Sequence, residues 1–86
     1  MERWTFLIIA GPDGAPVEVR VFLRVGDDEA RWPSAQIAMD GRGVAVDATA
    51  HDFEAPEWKV AQLLAAAGGQ AVVDRVKDQL RAAARV

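Results

Sequence analysis

Eighty-six residues, 51% hydrophobic and 27% charged, suffice for one small domain spanning residues 1–86 and exclude a multidomain enzyme. Ten basic against thirteen acidic side chains leave a net charge of −3, too little to keep so apolar a chain disordered. No apolar run approaches the roughly 20 residues of a membrane span, and the absence of cysteine excludes a disulfide framework or a thiolate metal site. A reducing, cytoplasmic compartment is the expectation.

The stretch Met1 to Ala10 is apolar, but Glu2 dilutes its basic start and its length is at the short limit of a signal-peptide core, so it reads as a strand. Trp4, Phe6, Ile8 and Ala10 alternate with Arg3, Thr5, Leu7 and Ile9, and Gly11-Pro12-Asp13-Gly14-Ala15-Pro16 is a dense turn signal. In the next run Val17, Val19, Val21, Leu23 and Val25 share one face, with Glu18, Arg20, Phe22 and Arg24 on the other. Opposing Ala10 with Val17, Ile8 with Val19, Phe6 with Val21 and Trp4 with Leu23 collects the large apolar residues on one side of a hairpin.

Residues 26–34 hold Asp27-Asp28-Glu29 and Arg31-Trp32-Pro33 without an apolar period and read as a loop. Ala35, Ile37 and Met39 then alternate with Gln36, Ala38 and Asp40, and Val44, Val46 and Ala48 with Ala45, Asp47 and Thr49. A two-residue Gly41-Arg42 turn would close these into a second hairpin. Helical periodicity starts at Pro56, with Asp52 and Glu54 as capping candidates, and Val60, Leu63, Leu64 and Ala67 form its apolar stripe. Gly68-Gly69 stops that helix, and a second, about Gln70 to Arg85, carries Val72, Val73, Val76, Leu80 and Ala83 on one side.

The resulting fold class is α+β: a four-stranded antiparallel sheet made of two hairpins, in the order β-β-β-β-α-α, with a C-terminal helical hairpin packed on one face. A simple meander satisfies this order, and connection 26–34 also permits the third strand beside the first.

Groups able to carry catalysis are few: one Ser, two Thr, one His, two Lys, no Cys and no Tyr. Ser34, His51 and Asp47 or Asp52 are the one conceivable hydrolytic set, and Ser34 lies in no nucleophile-elbow pattern. A single His with Asp47 and Asp52 falls short of a zinc ligand set, and Asp27-Asp28-Glu29 lacks the calcium-loop spacing. Gly41-Arg42-Gly43 precedes no helix and so resembles no phosphate-binding loop. No catalytic residue, metal or cofactor is assigned.

Two kinds of surface remain. If Phe6 and Ile8 face the helices, Leu7, Ile9 and Phe22 point the other way. Arg31 and Trp32 occupy the long connection, and Trp58 lies away from the helical stripe. These six residues are the candidate protein-interaction surface, for a partner protein or a second copy. The alternative is nucleic-acid binding along Lys77, Arg81 and Arg85, four residues apart on the last helix. Residues 61–86 carry a net +2 against −5 for residues 1–60, so an acidic body opposes that alternative.

In size, acidity and element order the chain resembles some small phage-encoded anti-CRISPR proteins. The resemblance rests on element order and no residue motif. It implies an inhibitor whose acidic surface occupies a basic, nucleic-acid-binding site of its target, and it transfers no site residue.

Overall fold

The computed structural model describes residues 1–39 and 51–85. Strands β1 (Trp4–Ala10) and β2 (Pro16–Leu23) form the hairpin that alternation demands, with Trp4 opposite Leu23, Phe6 opposite Val21 and Ile8 opposite Val19. At the turn the expected pairing fails by one residue. Ala10 meets Pro16, not Val17, because a bulge follows Ile9. The turn closes through Gly11 N–H to the Ala15 carbonyl at 2.9 Å and Ala15 N–H to Asp13 Oδ1 at 3.0 Å, and Gly14 supplies the positive φ of 82°. β2 ends at Leu23, leaving Val25 exposed beyond it instead of in the core.

Strand β3 (Ser34–Ala38) pairs antiparallel with β2, Ala35 opposite Val21 and Ile37 opposite Val19. The fourth strand departs from the expected meander. β4 (His51–Glu54) lies beside β1, Ile8 opposite Phe53 and Leu7 opposite Glu54, so the sheet order is β3-β2-β1-β4. The expected strand over Val44–Thr49, its Gly41-Arg42 turn and Asp47 lie outside the described residues. β1 and β2 are therefore the central strands, and β3 and β4 flank them.

Helix α1 (Glu57–Leu63) follows Pro56, whose extended backbone (φ −71°, ψ 157°) precedes the first turn, and neither Asp52 nor Glu54 caps it. It is shorter than its periodicity suggested: a 3-10 turn over Ala65–Ala67 intervenes before Gly68 and Gly69, whose φ values of 124° and 58° redirect the chain into α2 (Gln70–Ala84). Gly69 N–H donates to the Leu64 carbonyl at 2.8 Å across that corner. Leu64 is buried, while Ala67 and Ala83 are exposed past the ends of their stripes.

Both helices cover the face that bears Phe6, Ile8, Val19, Val21 and Leu23, contributing Val60, Leu64, Val73, Val76 and Leu80 to one continuous core. Ile8, Val19, Val21, Val60 and Val73 are fully buried. Burying a side chain of this size contributes about 1.5–3 kcal/mol, which makes this layer the main source of stability in a chain without disulfides. No helix is long and apolar enough to cross a membrane among the described residues.

Candidate functional site

On the face away from the helices, alternation and register set a grid. Ser34, Phe22 and Thr5 form one row; Gln36, Arg20, Leu7 and Glu54 the next; Ala38, Glu18, Ile9 and Asp52 the third. Past the end of β2 the chain folds a short 3-10 turn, Glu29–Arg31, back toward the first two rows. Asp28 caps that turn by accepting from Ala30 N–H at 3.1 Å, and Arg31 pairs with Asp28 at 3.6 Å. Trp32 follows, half-buried, its indole Nε1 donating to the Gly26 carbonyl at 3.3 Å.

Between turn and sheet lies a groove of about 620 Å³, lined by Thr5, Leu7, Phe22, Arg24, Glu29, Ala30, Trp32 and Glu54. Three of the six expected interaction residues, Leu7, Phe22 and Trp32, meet here. Arg31 does not line it: its guanidinium is exposed beside Asp28. Ile9 does not either, and it is not open surface: it is only 2% exposed. With β4 beside β1, Ile9 stands in the middle of the sheet between Glu18 and Asp52, and Glu18 is itself tied to Arg20 at 2.7 Å. Trp58 is 67% exposed, as its wheel position requires, but it projects from α1 and takes no part in the groove.

Thr5, Arg24, Glu29, Ala30 and Glu54 were not singled out by sequence pattern. Alternation carries a signal for two of them, since Arg24 continues the face of Phe22 and Thr5 stands opposite Phe22. Arg24 Nε donates to Thr5 Oγ1 at 2.8 Å. Glu54 reaches the groove only because β4 flanks β1, which no local pattern encodes.

The basic helix is largely occupied within the molecule. Lys77 Nζ binds Glu57 at 2.8 Å and stands 5.2 Å from the centre of the Trp4 ring. Arg81 binds Glu2 through Nε and Nη2, at 2.5 and 2.8 Å, and Asp78 through Nη1 at 2.8 Å, with its guanidinium 5.4 Å from the same ring. The Lys77 hydrogen bond holds the Glu57 carboxyl below its ordinary range, and the Arg81 hydrogen bond does the same for Glu2. Glu2 in turn raises the pKa of Arg81. Lys77 and Arg81 thus fasten α2 to α1 and to the N-terminal residues, whereas Arg85, an exposed residue, ends the helix.

The conceivable hydrolytic set is dispersed. Ser34 opens β3 opposite Phe22, whereas His51 opens β4 opposite Ala10, at the other edge and the other end of the sheet. Three strand spacings and five residue rises separate them by about 22 Å, too far for Ser34 and His51 to act on one another. Among the described residues no group of three or more His, Asp or Glu is placed to hold a metal ion.

No family model, curated protein or solved structure matches the chain, and the functional reading rests on its own residues.

Proposed function

We propose that this chain is a non-catalytic protein-interaction module, and that the groove beneath Trp32 is where it holds its partner. The observation that carries the reading is the convergence of Leu7, Phe22 and Trp32, from two strands and a loop, on one concavity on the face that the helices leave open. Concave apolar surface with an aromatic wall is the composition of binding hot spots, and a loop folded over a sheet gives it depth. One form of the reading is an inhibitor whose acidic surface occupies a basic site on its target, as the resemblance to phage-encoded anti-CRISPR proteins implies. The other is a homodimer joined through the same face.

Nucleic-acid binding through Lys77, Arg81 and Arg85 is disfavoured by the ion pairs: phosphate contacts would have to displace Glu57, Glu2 and Asp78.

Phe22→Ser and Trp32→Ala test the site. Each is expected to release the partner, or the second copy, that the wild-type chain retains in affinity capture and sedimentation, with unchanged far-ultraviolet circular dichroism. Retention by both variants overturns the assignment. A salt-dependent gel shift of labelled DNA or RNA by the wild-type chain, lost in Arg85→Glu, would move the function to the helix.

A further inference from the structure

The lining of the groove also specifies what enters it. We infer that the groove receives a basic side chain, arginine or lysine, flanked by apolar residues on a segment of the partner protein; the inference rests on the protein-interaction reading above. Leu7, Phe22, Ala30 and Trp32 supply apolar surface, and two exposed glutamates, Glu29 from the loop and Glu54 from β4, supply negative charge. Among the described residues neither glutamate is engaged in an ion pair, in contrast to Glu2, Glu18 and Glu57.

Three occupants can be compared on these terms. A purely apolar segment would gain contact with the two rings but would strip water from both carboxylates without replacing it. An acidic segment would face Glu29 and Glu54 directly. Among the described residues Arg24 is the one cation of the lining, and it already donates its Nε–H to Thr5 Oγ1.

A basic side chain satisfies both parts of the site. Its aliphatic stem covers Leu7 and the aromatic walls, and its charged head reaches the carboxylates over rings that themselves attract cations. The surroundings act in the same sense. Asp27 and Asp28 lie in the loop and Asp52 shares Glu54's face of β4, while the nearby Arg31 is paired with Asp28.

The experiment titrates the isotope-labelled 86-residue chain with three acetylated, amidated tripeptides, Leu-Arg-Leu, Leu-Gln-Leu and Leu-Glu-Leu. Binding is followed at the Trp32 indole N–H, assigned by its loss in Trp32→Ala, and at the amides of Leu7 and Phe22. The arginine peptide is expected to bind about fivefold more tightly than the glutamine peptide, the scale of two partly exposed ion pairs, with the glutamate peptide weakest. Glu29→Gln combined with Glu54→Gln should erase that preference, and so should raised salt.

Equal affinity for the arginine and glutamine peptides at these nuclei overturns the cationic assignment and leaves the docking reading intact. Preference for the glutamate peptide, perturbation confined to residues outside the groove, or no perturbation by the arginine peptide also overturns it. The docking reading itself falls on a different result, retention of the partner by Phe22→Ser and Trp32→Ala.

Discussion

The two faces of one sheet differ in kind. The helix-covered face is assembled from β-branched and leucine side chains, with Val19, Val21, Val60 and Val73 all at 0% exposure, and its polar neighbours are confined to the perimeter. The open face mixes Leu7 and Phe22 with Thr5, Arg20, Glu18 and Glu54, and residues of the 26–33 connection line a groove with it. The first is a packing solution. The second leaves Phe22 and Trp32 half-buried, and that aromatic surface is what the proposed docking reading uses. The three tryptophans follow the same division: Trp4 is clamped by Lys77 and Arg81 at the core's edge, Trp32 walls the groove, and Trp58 faces solvent.

Breaking the covered face should cost most. Val21→Asp places a carboxylate with no partner amid Phe6, Ala35 and the helices, so the chain should unfold, with a loss of more than about 4 kcal/mol. Circular dichroism and the thermal midpoint check this, and a soluble variant with an unchanged midpoint would show that the register is wrong. Leu80→Ala, also in the core, should cost about 2–5 kcal/mol and yield a folded chain of lower midpoint.

On the open face the same kind of truncation should separate binding from folding. Phe22→Ser or Trp32→Ala should weaken partner capture by about 2 kcal/mol or more, the scale of a central aromatic anchor. The loss of stability should be smaller than that of Leu80→Ala, because both residues are only half-buried. Thermal melts run beside binding isotherms decide it. A melting loss equal to that of Leu80→Ala would make the groove merely a second core.

Much of the covered face was legible in the sequence because alternation and helical periodicity are local. The pairs Trp4–Leu23, Phe6–Val21 and Ile8–Val19 and the stripe Val60, Leu64, Val73, Val76, Leu80 follow from spacing alone. What was not legible depends on strand order. A four-residue strand, His51–Glu54, shows too little alternation to be seen, and its place beside β1 is what brings Glu54 to the groove. For the site, alternation found Leu7 and Phe22 and the anomalous loop found Trp32, but the distant partners of Lys77 and Arg81 were hidden. Glu2 lies 79 residues from Arg81 and Glu57 lies 20 from Lys77 in the sequence, so no i,i+4 rule reaches them.

A smaller effect sharpens the boundary between the faces by way of pH. Because the Lys77 hydrogen bond lowers the native pKa of Glu57, this pair stabilises the fold above the unfolded glutamate pKa. That contribution is lost as pH falls through the lowered native value. The carboxylate is a third exposed, so solvent screening limits the effect to roughly 0.2–1 kcal/mol. Lys77→Met should lower stability by that amount at neutral pH and by progressively less in acid, measured as urea midpoints across the acidic limb. It should leave affinity at the groove unchanged. A Lys77→Met defect that persists undiminished in acid would mean that lost packing on Trp4, not charge, is what Lys77 contributes.

The smallest effect expected is at Trp58, and it discriminates most sharply between locations for the interaction surface. Composition alone ranks Trp58 with Trp32, since both are tryptophans off the apolar stripes. Trp58, however, is 67% exposed on the short helix α1 and lines no part of the groove, so its removal opens no buried cavity. Trp58→Ala should therefore change stability by no more than about 0.5 kcal/mol, the range of ordinary surface substitutions. Partner capture should match that of wild type while Trp32→Ala loses it in the same assay. If Trp58→Ala releases the partner and Trp32→Ala does not, the binding surface belongs to the helical side of the molecule, and the open face of the sheet is left exposed for no reason that recognition supplies.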